Sequence, residues 1–299
     1  MNAAAALLKR TVHQTAAFGW MVGFSHSICV LPFALAAVVL ARGPAFQSIT
    51  WAKVFWVTVA ALSCRSAAIG FNRLSDMRWD RLNPRTRHWA LPRGLISPNA
   101  TLALVMLSAA VFFMSMGILN LTALYLSPVV LAIAFFHAFT KRFTWTSHLF
   151  LGLVYGMAPV VAWIAVRGVL HSSILVLGAL IAAWGAGFDV IYACLDHAFD
   201  REWGLYSMPQ TFGVTKAVWT ARALHVLSLV GMLALKWVFA LNAFYLFGVI
   251  VVGLLLLWGH SLAGPNAPMA TRKTFFDASG LVSMFYFVAI AGGATPSRL

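Results

Sequence analysis

Acidic residues are rare in this chain, which has seven Asp and Glu residues against 21 Lys and Arg among its 299 residues. Charged residues of both signs make up only 9% of it, whereas 62% is hydrophobic. A water-soluble domain of this length needs far more polar surface than such a composition provides. The sequence therefore excludes an ordinary soluble protein and predicts an integral membrane protein surrounded by the lipid bilayer.

Cysteine is scarce as well, and Cys29, Cys64 and Cys194 lie far apart, in or beside apolar stretches. Their spacing fits neither a disulfide framework nor a zinc site, so we interpret them as small core residues. In a soluble protein the net charge of +14 would suggest a nucleic-acid partner. In a membrane protein the excess of cations is better explained by anionic lipid head groups and by topology, so we expect no nucleic-acid binding.

Long apolar runs predict nine transmembrane helices. They span residues 19–41, 54–71, 99–117, 119–138, 147–166, 170–190, 217–235, 240–260 and 278–294. Threaded alternately across the bilayer, these helices place most cations on one side, which the positive-inside rule assigns to the cytoplasm. We therefore predict a multi-pass protein of the cell inner (plasma) membrane. Its N-terminus and its two long polar loops, 72–98 and 191–216, would be cytoplasmic.

The two polar loops hold most of the acids. Six of the seven lie in these loops or on the helix that enters the second loop. Each loop contains the pattern Asp-x-x-x-Asp-Arg, once at Asp76–Arg81 and once at Asp196–Arg201. Because the copies are four predicted helices apart, we predict two related four-helix halves and a final helix around a central cavity. The expected fold class is all-α, in a single membrane domain over residues 1–299.

Two sets of oxygen-bearing side chains recur at helical spacing, so that each set is expected to share one face of a helix. They are Asn72, Asp76 and Asp80 in the first loop, and Asp189, Asp196 and Asp200 at the second. Such sets suit Mg²⁺, which proteins hold with one or two carboxylates and the phosphates of a substrate. Several cations are predicted at the same membrane face, among them Arg73, Arg78, Arg81, Lys141, Arg142 and Arg201. Together the acids and cations predict a site for a Mg²⁺-bound diphosphate.

Paired aspartates at a membrane face also occur in other structural and functional roles. A single motif of this kind is usually an interface anchor or a loop ion pair, but two copies that hold nearly all the acid argue against that. Alcohol phosphotransferases of phospholipid synthesis also place aspartates at a membrane face, but in one dense cluster on fewer helices. A transporter, or another cation or proton pathway, would hold paired acids near the bilayer midplane. The transporter remains the alternative to an enzyme.

Two segments resemble the aspartate motifs of the UbiA superfamily of intramembrane prenyltransferases. The run Arg65–Asp80 (RSAAIGFNRLSDMRWD) is similar to the first motif, and Asp189–Asp200 (DVIYACLDHAFD) is similar to the second. Further agreement comes from the segments 26–33, 83–87, 91–94 and 141–142, so the resemblance extends from residue 26 to about residue 213. Nine helices are the architecture of that family. One departure is Arg73, which stands where the family often has Asp.

The resemblance implies Mg²⁺-dependent transfer of a polyprenyl group, through an allylic carbocation, from polyprenyl diphosphate to an aromatic quinone precursor. It implies three sets of site residues: Asp76, Asp80, Asp196 and Asp200 for Mg²⁺, Asn72, Arg73, Lys141, Arg142 and Arg201 for the diphosphate, and Asp189 and Tyr192 at the reacting groups. Arg65 lies inside an apolar run, so we expect it to face the cavity and to pair with Asp189 or with an acidic acceptor, with snorkelling toward the head groups as the alternative. The form Asn83-Pro-Arg-Thr86 beside the first motif resembles that of bacterial 4-hydroxybenzoate polyprenyltransferase-like enzymes of quinone synthesis. Both 4-hydroxybenzoate and a dihydroxynaphthoate, for ubiquinone or menaquinone biosynthesis, stay open as acceptors.

Overall fold

Helices make up all of the regular secondary structure in the part of the chain that the computed structural model describes, residues 3–23, 30–42 and 49–294. Within these ranges, side chains are described except at 3–11, 269, 270, 272, 273 and 276–278. The helices are α1 (Ala3–Met21), α2 (Leu31–Leu40), α3 (Trp51–Leu82), α4 (Pro98–Leu119), α5 (Leu121–Thr140), α6 (Ser147–Arg167), α7 (Ser172–Ala193), α8 (His197–Trp203), α9 (Met208–Phe212), α10 (Val214–Val238), α11 (Ala243–Leu262) and α12 (Met269–Gly293). The predicted all-α fold is confirmed.

Seven of these helices are long and apolar enough to cross a bilayer: α3 to α7, α10 and α11. Two further apolar helices are shorter, α2 and the segment Ser279–Gly293 of α12. The chain is therefore an integral membrane protein with several spans, while the total of nine stays a prediction. Large exposed side chains on these helices, such as Leu257 and Phe247, fit a surface that faces lipid.

The predicted first span, 19–41, is wrong as a single helix. α1 ends at Met21, and α2 begins only at Leu31. Pro32 lies in the first turn of α2. Proline is tolerated there because the first helical N–H groups have no partner within the helix, whereas inside a continuous helix it would break a hydrogen bond.

The two aspartate motifs have different local structures. α3 continues through the first motif to Leu82, so Asp76 and Asp80 are on one helix, as the spacing predicts. The second motif is not one helix, because α7 ends at Ala193 and α8 starts at His197. Asp196 occupies the position just before α8, but its side chain makes no capping hydrogen bond to that helix. The prediction that the second set of acids shares one helix face is therefore wrong.

α6 packs closely against α7, the helix that leads to the second aspartate motif. α7 is the most buried of the seven spans, with 78% of its apolar window inside the protein. A Cβ atom at Gly156 would lie 2.4 Å from the Gly178 carbonyl oxygen, and one at Gly152 would lie 2.4 Å from the Ala182 carbonyl oxygen. Glycines at these positions let the two backbones approach each other, as small residues do between membrane helices.

Substitution of Gly156 by valine is expected to destabilise the folded protein. The added Cβ meets a backbone oxygen, which cannot rotate away, so α6 and α7 must separate at a cost of about 1–3 kcal/mol. The midpoint of thermal aggregation of the detergent-solubilised protein should fall. Gly117→Val is the matched control, because a Cβ there meets only Leu124 methyl groups at 3.6 Å. Equal midpoints for the two variants would contradict this account of the packing.

Candidate active site

A cavity of about 860 Å³ lies where the two aspartate motifs meet. Eleven of the twelve predicted site residues line it: Arg65, Asn72, Arg73, Asp76, Asp80, Lys141, Arg142, Asp189, Tyr192, Asp196 and Asp200. The exception is Arg201, whose exposed side chain is outside the lining. It follows Asp200 by one position on α8, and adjacent residues of a helix do not face the same way. The pattern Asp-x-x-x-Asp-Arg alone did not show that Asp200 faces the cavity whereas Arg201 faces away from it.

The cavity carries balanced formal charge. With histidines counted as neutral, its lining has five carboxylates, and its five cations are Arg65, Arg73, Arg85, Lys141 and Arg142. A diphosphate alone would add several negative charges to this balance. A divalent cation that entered together with the diphosphate would offset most of that added charge, so the charges suit the pair better than either partner alone.

On the first motif, each aspartate is close to a cation. Arg142 Nη2 lies 3.6 Å from Asp76 Oδ1, and Arg73 Nη1 lies 3.5 Å from Asp80 Oδ2. Asn72 donates an amide N–H to Asp76 Oδ2 at 3.1 Å. The guanidinium of Arg73 also stacks on the ring of Trp89, 4.0 Å from its centroid. These contacts keep both carboxylates in the cavity wall.

On the second motif, Asp196 is held by the loop that follows the first motif. Arg85 donates to both of its carboxylate oxygens, Nε to Oδ1 at 2.8 Å and Nη2 to Oδ2 at 2.5 Å. Asn83 donates to Oδ1 at 2.9 Å, and Arg85 also reaches the Tyr192 hydroxyl at 2.6 Å. Burial alone would raise the pKa of Asp196, but the hydrogen bonds and charge of Arg85 bring the pKa below its usual value. The loop after the first motif is therefore joined to the second motif by a bidentate ion pair.

Asp200 is the buried acid with unused hydrogen-bonding capacity. Asp200 is only 2% exposed, and its Oδ2 atom is buried without a hydrogen-bond partner. Burial raises the pKa of this carboxyl, although Lys141 nearby lowers it in part. A buried carboxylate oxygen without a partner is costly, so it is a natural position for a bound cation.

The carboxylates of the cavity suit a Mg²⁺ site in which the phosphates of a bound substrate supply the remaining ligands. Among the described residues, no group of three or more Asp, Glu, His and Cys side chains is arranged to hold a metal ion on its own. Mg²⁺ does not need such a group, since it is often held by one or two carboxylates and by substrate phosphates. The free Oδ2 of Asp200 supports that arrangement.

Lys141 lies just after α5, between the two motifs. Burial lowers the pKa of its ammonium group, but four surrounding carboxylates raise the pKa by more, to above its usual value. They are Asp200, Asp189, Asp196 and Asp76. Lys141 is therefore a positive charge shared by carboxylates from both motifs.

Asp189 has a partner that the sequence did not suggest. His148 on α6 is fully buried, and its Nδ1 atom lies 2.6 Å from Asp189 Oδ2. Asn83 and Arg85 are also site residues that the prediction did not include, although they lie in a segment that resembles the family. No spacing rule connects positions that are 41 or 111 residues apart. A search for polar residues near the predicted cytoplasmic ends of helices would have included His148.

Arg65 lies at the boundary between polar and apolar space. Its Nη1 group donates to the carbonyl oxygens of Val22 at 2.8 Å and Gly23 at 3.3 Å, just past the end of α1. It lines the large cavity and also a second, apolar cavity of about 140 Å³. Leu151 and Tyr155 line both cavities as well, so the apolar space continues from the polar one. Arg65 thus faces the cavity, as we expected because exposing a charged side chain to lipid is energetically unfavourable.

Comparison with known proteins identifies close structural relatives. The sequence model of the UbiA prenyltransferase family matches residues 30–288. A 4-hydroxybenzoate octaprenyltransferase of Vibrio atlanticus is 30% identical over 198 residues, which are 66% of this chain and 69% of that protein. The apo structure of a UbiA homolog from Aeropyrum pernix K1 has a TM-score of 0.81 at 31% identity, covering 89% of this chain and 97% of the other. A UbiA homolog from Archaeoglobus fulgidus bound to GPP and Mg²⁺ shares the fold, with a TM-score of 0.66 at 16% identity over 92% and 99% of the two chains.

Proposed function

The chain belongs to the UbiA prenyltransferase family, and we propose that it transfers a polyprenyl group from polyprenyl diphosphate to an aromatic acid in a Mg²⁺-dependent reaction. The observation that carries the proposal is the single cavity in which carboxylates and cations from both motifs meet next to apolar space. Relatives named 4-hydroxybenzoate octaprenyltransferase support the same reaction class.

The diphosphate is bound at the polar end of the cavity. Asp76, Asp80, Asp196 and Asp200 would hold Mg²⁺. Asn72, Arg73, Lys141 and Arg142 line the same space and would contact the phosphate oxygens. When bound, Mg²⁺ supplies positive charge that stabilises the leaving diphosphate. We leave Arg201 out of this set because its side chain is exposed outside the cavity.

The prenyl tail lies in the apolar space that continues from the site. Alanine, valine, leucine and methionine side chains of α2 to α6 form most of that lining, so burial of a hydrocarbon chain there is favourable. The tail would begin near Arg65, where the polar and apolar cavities share their walls. An entirely polar cavity, as a cation or proton pathway requires, would offer no place for such a chain.

Transfer requires that the bond between C1 of the prenyl group and the diphosphate oxygen breaks. The electron pair leaves with the diphosphate, where Lys141, Arg73 and Arg142 counter the added charge. A carbon of the electron-rich aromatic ring then forms a bond with C1, and the ring loses a proton to the released diphosphate. Asp189 and Tyr192 face the cavity and would orient the acceptor hydroxyl, while Arg65 would attract its carboxylate.

The acceptor is an acidic phenol, either 4-hydroxybenzoate or a dihydroxynaphthoate. Both present a carboxylate and a hydroxyl on an aromatic ring, so the same residues would contact either one. We also propose that the chain is one catalytic domain in the cell inner membrane, with its N-terminus and both motif loops on the cytoplasmic side. The excess of cations in those loops supports this orientation.

The purified protein in lipid vesicles should form a prenylated product from geranyl diphosphate and one of the two acceptors. The assay would follow product mass and diphosphate release, with Mg²⁺ and with EDTA. We expect product only with Mg²⁺, and EDTA should abolish it until excess Mg²⁺ is added back. Ion flux across the vesicles without any product would contradict the proposal and favour a transporter.

A further inference from the structure

Three consecutive residues, the last two of the loop between α8 and α9 and the first residue of α9, contact three parts of the site. The Tyr206 N–H donates to the Lys141 carbonyl oxygen at 2.8 Å. The Ser207 side chain lies close enough to the Asp200 carboxylate to lower the pKa of that group in part. The Met208 N–H donates to His148 Nε2 at 3.1 Å. We call Tyr206–Met208 the clasp, since this short segment joins a proposed diphosphate ligand, a proposed metal ligand and His148.

The hydrogen bonds of His148 determine which of its ring nitrogens carries a hydrogen. A backbone N–H can only donate, so Nε2 of His148 must accept from Met208 and carries no hydrogen. In the neutral ring the hydrogen is then on Nδ1, which lies 2.6 Å from Asp189 Oδ2. His148 therefore donates to the carboxylate, and the clasp selects the tautomer that can do so.

We infer that His148 is a positioning residue for the prenyl transfer, which holds Asp189 in the orientation that the acceptor requires. His148 is fully buried and is not part of the cavity lining, whereas Asp189 is. His148 must therefore act through Asp189 and not through contact with the substrates. This inference rests on the proposed function, because it assigns His148 a part in that reaction.

The position of His148 on α6 makes it suitable for this part. α6 is packed closely on α7, which carries Asp189, so the imidazole and the carboxylate approach each other from two helices in direct contact. The clasp contacts the opposite edge of the ring, next to Asp200. The same hydrogen-bonded chain thus connects the proposed metal-binding loop to the acceptor side of the site.

Replacement of His148 by leucine should lower kcat and leave the KM for the prenyl diphosphate within about twofold. Loss of an outer partner that orients an active-site ligand commonly reduces activity by about 10–100-fold. His148→Gln should recover most of kcat, because the amide offers both an N–H donor and a carbonyl acceptor. Purified variants in vesicles would be compared for kcat and for both KM values.

Combination with Asp189→Asn separates a positioning role from a structural one. If His148 acts through Asp189, the double variant should be no slower than Asp189→Asn alone. His171→Gln, at the start of α7 and away from the cavity, is the control for the loss of a histidine. His148→Asn, whose shorter amide cannot reach both partners, replaces the leucine variant if that protein does not accumulate.

Several outcomes would overturn the inference. One is a folded His148→Leu protein with unchanged kcat, and another is a glutamine variant as slow as the leucine variant. A double variant whose loss is the product of the two single losses would also overturn it. Inactivity of the unmodified protein with every acceptor would instead defeat the proposed function, so the two failures can be told apart.

Discussion

Asp200→Asn should lower prenyl transfer by at least about 10²-fold, the loss that follows when one charge-stabilising group is removed from an active site. Asparagine keeps the size of the side chain but removes the negative charge. The Oδ2 atom of Asp200 is buried without a hydrogen-bond partner, so burial of this oxygen is unfavourable unless a ligand contacts it. A residue kept there at such a cost is best explained by a ligand that it binds. Product formation at saturating geranyl diphosphate would be measured over a Mg²⁺ titration.

The control for this variant is on the same short helix. Glu202 follows Asp200 by two positions on α8, and its side chain is exposed. Glu202→Gln removes an equal charge from the same element and should leave activity unchanged within about twofold. An Asp200→Asn protein that kept more than a tenth of its activity at low Mg²⁺ would remove Asp200 from the metal site.

The sequence predicted the site because acid is so rare in the chain. In a protein with an ordinary number of aspartates, the pair Asp76 and Asp196 would not stand out. Here five of the seven acids line the cavity, so the positions of the acids in the sequence indicated where the candidate site lies. The all-α fold followed in the same way from long apolar runs, because a bilayer permits few other structures.

Tertiary contacts and local breaks in helices could not be predicted from the sequence. The Arg85–Asp196 pair joins residues 111 positions apart, and its existence depends on how the loop after α3 folds back over α7. The break between α7 and α8 moved Asp200 onto a separate helix, which a constant helical period could not predict. Pro32, in the first turn of α2, is a helix-start signal that the prediction of one continuous span over 19–41 did not use.

The Arg85–Asp196 pair also bears on how the site works. Arg85 occupies both oxygens of Asp196, so a metal ion there must share the carboxylate or displace the guanidinium. Asp200, in contrast, has an oxygen available at once. The two acids of the second motif are thus not equivalent, although they look alike in the pattern Asp-x-x-x-Asp-Arg. Lys141 is close enough to influence both of them.

Lys141→Gln should reduce kcat/KM for the prenyl diphosphate by about 10²-fold, since charged hydrogen bonds to phosphate are among the stronger ones in proteins. Four carboxylates keep Lys141 charged, and its removal would leave one more negative charge than positive charges in the cavity wall. That excess repels the diphosphate before the reaction and destabilises it as a leaving group. The KM for geranyl diphosphate should therefore rise as kcat falls, whereas the KM for the aromatic acceptor should change little.

Two further variants distinguish a site charge from a general charge effect. Lys141→Arg keeps the charge and should recover a large part of the lost affinity for the diphosphate, although its planar group differs in geometry from an ammonium. Lys216→Gln removes an exposed lysine at the start of α10, outside the cavity lining, and should behave like the unmodified protein. If Lys216→Gln weakened diphosphate binding as much as Lys141→Gln, the effect would come from the net charge of the membrane face. The cavity would then no longer be needed to explain how the substrate is held.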